Sequence, residues 1–217
     1  MSIKLHGKRG TGLRRWEIAL MLGFVAALVS GLWLTGEQAA FSEKVIRLHV
    51  IANSDSEGDQ ALKLRVRDRI LEESRAWMTA GAGLEETRGL LEAHLEELTA
   101  AAGQEVAAAG YEYRVTAGLE DRVWFPTREY QDFALPAGRY TALRVVLGEG
   151  AGQNWWCVVF PPLCLGAVTE PVEETAAAAG LSPSEVSLIT GATDGYVVKF
   201  KTIELWNKLT DGPDSGR

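Results

Sequence analysis

Two cysteines and three histidines are all that 217 residues contain, and that scarcity rules out a disulfide-dense scaffold. His6 sits in a basic lead, so only His49, His94, Cys157 and Cys164 remain as a four-ligand set, and their spacing matches no common zinc finger. Neither a metal nor a cofactor is expected. Positive charge is also scarce where it would matter. The chain carries 22 Lys/Arg against 29 Asp/Glu, a net charge of −7. Five of the basic and two of the acidic residues precede residue 41, leaving 17 against 27, a net charge of −10, over the rest. Such an acidic body is a poor phosphate-binding surface, so nucleic acid is not an expected partner.

No internal repeat is visible, and no catalytic constellation survives inspection. Gly148-Glu149-Gly150-Ala151-Gly152 has the glycines of a phosphate loop, but a strand pattern follows it instead of a helix start. Asp214-Ser215-Gly216 spells an aspartic-protease triplet in the terminal tail, without the flanking apolar strands. Ser54 near His49 is a pairing that caps and strand residues produce by chance.

The N-terminus is the first positive signal. Lys4, Lys8, Arg9, Arg14 and Arg15 precede an apolar run over residues 18–34, bracketed by Trp16 and Trp33. Basic then apolar is the order of an export or anchor segment. The run is long for a cleavable signal and short of the roughly 20 residues of a spanning helix. No small-x-small cleavage site is evident, so secretion and anchoring both stay open. The domain reading is therefore 1–40 signal or anchor, 41–209 one exported domain with a loose insert at 166–181, and 210–217 a flexible tail.

Within the domain, residues 45–51 alternate as a strand with Ile46, Leu48 and Val50 inward. Residues 52–59 stop it, and Ser54 with Glu57 fits a capping box for a helix to about residue 78. That helix carries two apolar stripes: Leu62, Val66, Ile70 and Trp77, and opposite them Leu64, Leu71 and Met78. Lys63 and Arg67 lie in the wedge between, either snorkelling or held by carboxylates. A second helix is expected over 84–109, with Leu91, Leu95, Leu98, Ala102 and Val106 on one face. Strands follow at 111–119, 122–126, 139–148 and 154–160. The last two, joined by a Gly-rich loop, read as an antiparallel hairpin. Ser182, Pro183 and Glu185 carry another helix start, and residues 196–201 and 202–209 read as a final strand and helix. The fold class is α+β: a mainly antiparallel sheet with two long helices packed against it.

The stretch NWWCVVFPPLC, residues 154–164, concentrates the unusual residues. Outside the cytosol the two cysteines tend to pair, and Pro161-Pro162 can turn Cys164 back towards Cys157. The closed loop would contribute roughly 2–3 kcal/mol. In a strand Trp155 and Trp156 face opposite ways. Either the strand is covered on both faces, or one tryptophan is exposed for docking. Cys157 shares the Trp155 face, which makes Trp156 the freer one. Asn53, Asp55, Asp59 and Arg67 form a second candidate surface, an ordered polar patch with Arg67 held by a carboxylate from the loop, or an ordinary cap and solvated charges.

Five blocks, VIRLHVIANSDSEGDQALKLRVRDRIL, FPTREY, LPAGRYTALRVVLGEGAGQNWWCVVFPPLC, SLITG and VKFKTIELWNKL, together resemble the stage II sporulation protein R family of endospore-forming bacteria. The resemblance implies a signalling protein, not an enzyme. It would be made in the forespore, exported into the intermembrane space, and contact membrane through its N-terminal segment. There it would activate a membrane-embedded mother-cell protease, stage II sporulation protein GA, which processes the pro-sigma-E factor. Asn154, Trp155, Trp156, Asn53, Asp55, Asp59 and Arg67 are the candidate partner-binding residues. The alternatives are an exported hydrolase using Asp55 or Asp59, and a structural septal or envelope protein.

Overall fold

The computed structural model describes residues 15–77, 82–164 and 171–191, with side chains over 26–39 excluded. The basic lead, the strand and helix expected at 196–209, and the tail lie outside the described residues. The chain divides into two units, residues 1–37 and 38–217. In the first, helix α1 (Arg15–Ser42) begins. Its described side chains are largely exposed and apolar: Trp16, Ile18, Leu20, Met21, Leu22, Phe24 and Val25. Among the described residues no helix is long and apolar enough to cross a membrane.

The second unit is α+β. Strand β1 (Ile46–Ile51) leads into α2 (Glu57–Trp77), α3 (Leu84–Ala93), α4 (Leu95–Ala108), β2 (Val115–Phe125) and the two-residue strands β3 (Arg128–Glu129) and β4 (Ala134–Leu135). Then come β5 (Gly138–Leu147), β6 (Asn154–Phe160), α5 (Val172–Ala178) and α6 (Pro183–Thr190). The main sheet has the order β2-β5-β1-β6, and β3 and β4 form a small separate pair. β1 runs parallel to β5 and antiparallel to β6, and β2 is antiparallel to β5. The sheet is therefore mixed.

β1 is the reason the expected β5–β6 hairpin does not form. All six of its residues are buried, so it takes a central position, between the two strands that were expected to pair. Crossing one intervening strand requires about 10 Å, which the 148–153 connection spans easily. It passes over the end of β1, where Gly152 N–H donates to Ala52 O at 2.9 Å and Ala151 N–H to Asn53 O at 3.1 Å.

Both faces of the sheet carry a packed core, the second over only part of its area. On one, Ile46, Leu48 and Val50 meet Leu62, Val66 and Ile70 of α2 and Leu98, Ala102 and Val106 of α4. On the other, Phe125, Tyr140, Ala142 and Val158 meet Phe41, Leu135, Ala176, Leu181 and Ile189. α6 starts as its sequence indicates: Ser182 and Glu185 form a reciprocal capping box with Pro183 in the first turn.

Three local expectations change. The second long helix is interrupted at His94, whose ring stacks on Trp77 at 4.6 Å while its Nδ1 lies 2.8 Å from Glu97. That stack joins two helices, which periodicity within one helix cannot show. The segment at 122–126 is no separate strand but the far half of β2, beyond a register shift at Glu120/Val123 where Arg122 takes φ +60°. Ser56, not Ser54, receives the Asp59 N–H at the start of α2 (3.2 Å), because the Ser54 hydroxyl is drawn to the Asp59 carboxylate.

Candidate functional site

The candidate residues from 53–67 and from 154–156 lie about ninety positions apart in sequence, yet the fold brings them to one end of the sheet. β1 ends at Ile51 opposite Asn154, the first residue of β6. The chain leaving β1 and the chain entering β6 therefore run side by side, and they are laced together. Asn53 Oδ1 accepts Glu149 N–H at 3.0 Å, and Asp55 Oδ1 accepts Gln153 N–H at 2.8 Å. The loop comes so close that a Cβ on Gly148 would collide with the Asn53 side chain, and one on Gly152 with the Ser54 carbonyl. Gly148 also has φ +56°, where a side chain is strained.

Asp59 is the centre of this lacing. It is buried, and its Oδ2 accepts from Asn53 Nδ2 at 3.0 Å and from Ser54 Oγ at 2.5 Å. Burial by itself would raise its pKa; hydrogen bonds from Ser54, Asn53, Tyr113 and Ser56 outweigh that and hold it below the ordinary carboxylate value. Asp59 is therefore an ionised structural acceptor with no proton to donate. Lys63, one turn on, is buried and donates to Gln60 Oε1 (2.5 Å) and Gln153 O (3.1 Å). Its pKa is lowered by burial, with Asp55 opposing and Arg67 adding to the shift.

Arg67 is held, though not by the loop. Its guanidinium pairs with the adjacent Asp68 at 2.6 Å and lies 4.5 Å over the Trp155 ring. The expected loop carboxylate is not its partner, because Asp59 is occupied and Asp55 is turned to Gln153. Trp155 thus sits on the α2 face of the sheet. Trp156 sits on the opposite face, as strand alternation requires, but it is not outside the core. It is half-buried, stacked on His49 at 3.9 Å and edge-on to Phe125 at 4.7 Å. Only Asn154 of the three is exposed.

Cys157 and Cys164 are disulfide-bonded, with Cα atoms 5.9 Å apart. The bridge folds residues 161–164 against the outer edge of β6, where Cys164 Sγ accepts Val158 N–H at 3.1 Å. Both sulfurs are consumed in the bond, so neither serves as nucleophile or metal ligand in this state.

Sequence reasoning missed Arg47 and His49. With Ile46, Leu48 and Val50 assigned inward, these two belonged to the other face of β1 and passed for solvent-facing. The fold covers that face too. Arg47 is fully buried, with Nη2 3.0 Å from the Tyr130 hydroxyl, Nε 3.4 Å from Cys157 O, and its guanidinium over Phe125 (4.2 Å) and Tyr140 (5.0 Å). Tyr130 in turn donates to Trp156 O at 2.9 Å. His49 is stacked on Trp156 and edge-on to Phe125 at 5.9 Å, with Nε2 2.9 Å from Asn154 Oδ1. Burial lowers its pKa to about 4, against the Asn154 hydrogen bond and with help from Arg144 and Arg47. The apolar character of both faces of β6 was the signal that the neighbouring strand would be covered twice.

The result is an α+β domain with a rigid, hydrogen-bonded sheet end where aromatic, amide and cationic side chains meet. The family model described as stage II sporulation protein R matches residues 42–170, more than half of the chain. The chain belongs to the stage II sporulation protein R family. It is similar to the stage II sporulation protein R of Bacillus subtilis (strain 168), 39% identical over 122 residues, which is 56% of this chain and 54% of that protein. The chain thus spans about half the length of the curated relative it matches. No solved structure matches it.

Proposed function

We propose that this chain is an exported signalling protein of sporulation that acts by binding. Made in the forespore and delivered to the intermembrane space, it activates the membrane-embedded protease stage II sporulation protein GA, and so starts processing of the pro-sigma-E factor. Family membership supports the sporulation role. The observation that carries the binding mode is the commitment of the reactive side chains to structure. Asp59 is bound by Ser54 and Asn53, Asp55 receives the Gln153 N–H, and the cysteines are joined. A surface fixed in this way suits recognition, because little side-chain ordering is left to oppose binding. Activation needs only a preference for the active receptor: about 3 kcal/mol would shift its population roughly a hundredfold. The test is to produce the full chain beside the protease and its pro-sigma substrate in a host that does not sporulate. Cleavage that depends on the chain supports the proposal; a purified chain that turns over a substrate, or a host with no cleavage, overturns it.

A further inference from the structure

The second face of the sheet is only half covered, and the uncovered half has a definite composition. One cross-strand row consists of Trp156 on β6, His49 on β1, Arg144 on β5 and Gly118 on β2. The row towards the sheet end is Asn154, Ile51, Val146 and Thr116, and the row on the other side is Val158, Arg47, Ala142 and Glu120. In that last row Val158, Arg47 and Ala142 are completely buried beneath the second core. Beyond that row coverage is partial: His49 and Ile51, on the central strand, stay buried, while the flanking positions open. Thr116 and Asn154 are exposed, Trp156, Val146 and Gly118 are half-buried, and the Arg144 side chain is 32% exposed.

Gly118 marks the opening most clearly. A Cβ built on it meets no atom within 4 Å, and its φ lies outside the left-handed region. Beside it Arg144 reaches one acid, Glu120, through Nη1 at 3.3 Å, and Glu120 is itself half exposed. Among the described residues nothing else bonds that guanidinium. Arg47 on the next row is fully buried, so Arg144 is the cation this surface presents, on a chain of net charge −7. Trp156 is held at its border by the His49 stack.

Resting on the signalling function proposed above, we propose that this open half-face, Trp156, Arg144 and Gly118 with Thr116 and Asn154, is the receptor-docking surface, and that its occupant is an extended receptor segment carrying a carboxylate. Charge selects that occupant: the partly exposed Arg144, with a single long ion pair, is the cation of this half-face on a chain of net negative charge. Geometry sets its spacing. Arg144 and Trp156 are two strands apart, about 10 Å, which an extended chain covers in about three residues. The segment therefore places its carboxylate on Arg144 and an apolar side chain on Trp156 about three residues away. Between them it crosses the buried His49, and beyond Arg144 its backbone continues over Gly118, where no side chain stands.

The test uses the full chain in the protease co-expression assay, with melting temperature measured on each purified variant. Gly118→Leu fills the open space, and Arg144→Gln removes the charge. Gln104→Leu, exposed on α4 behind the opposite face, adds apolar bulk elsewhere. Expected is a loss of cleavage of at least about tenfold for the first two at unchanged melting temperature, and none for Gln104→Leu. If Gly118→Leu unfolds, Arg144→Gln decides. Full cleavage with Arg144→Gln, while the unaltered chain is active, overturns the surface and leaves the signalling function standing. No cleavage with the unaltered chain removes that function and the surface with it. A chain that sizes as a dimer, split by Gly118→Leu, makes a second copy the occupant and overturns the receptor assignment.

Discussion

His49 makes the stability of this domain depend on pH in a window where few other groups titrate. The perturbation is acidification from pH 7 to pH 4, on the unaltered chain and on His49→Gln. In the folded protein the imidazole is buried against Trp156 and Phe125, with Asn154 on Nε2 and Arg144 and Arg47 as the charged neighbours, and its pKa falls from 6.5 to about 4. The unfolded chain therefore takes up a proton below pH 6.5, while the folded chain stays neutral until about pH 4. Stability from this group is complete above pH 6.5 and lost as the pH falls towards 4. A shift of this size corresponds to about 3 kcal/mol, at a slope of up to about 1.4 kcal/mol per pH unit. Asp59, Asp121 and Glu185, all held below their ordinary values, act in the same direction, but only from about pH 4.5 downward. Urea unfolding followed by tryptophan fluorescence at pH 7, 6, 5 and 4.5 gives both curves. The unaltered chain should lose stability between pH 6.5 and 4.5, and His49→Gln should lose about 2 kcal/mol less. Parallel curves for the two proteins would show that His49 is already charged in the fold, and the burial argument would fail.

Arg67→Ala removes an exposed pair with Asp68 and the cation–π contact with Trp155, and should cost about 1 kcal/mol in chemical denaturation; a loss above about 3 would mean a buried ion pair. Non-reducing peptide mapping should recover Cys157 linked to Cys164, and reduction should lower stability by about 2–3 kcal/mol; two free thiols in the folded protein would contradict the bridge. Gly152→Ala drives a methyl into the Ser54 carbonyl and should cost about 2 kcal/mol or more. An unchanged melting temperature would show that the 148–153 loop is not fixed against the 53–56 turn.

The local elements, and the residues that meet at the sheet end, were legible in the residues alone. Periodicity placed β1 and the buried residues of α2 and α4, because burial on one helix face or strand face repeats at a fixed spacing. Cap chemistry located the start of α6, since Ser182, Pro183 and Glu185 act within a single turn. The two cysteines were close enough in sequence, with a proline turn between, for their pairing to be read. Everything that depends on which elements become neighbours needed the tertiary structure. β1 separating β5 from β6 is a choice between two strand pairings that the same residues permit locally, and it is settled by burying β1 on both faces. That choice buries Arg47 and His49 and stacks Trp156 on His49. The same long-range packing gives Arg67 its Trp155 partner, breaks the second helix at His94 against Trp77, and turns Asp59 from a helix-start acid into the acceptor that fixes the loop. Each is a contact between residues distant in sequence, and neither spacing nor propensity within one segment encodes the partner on another.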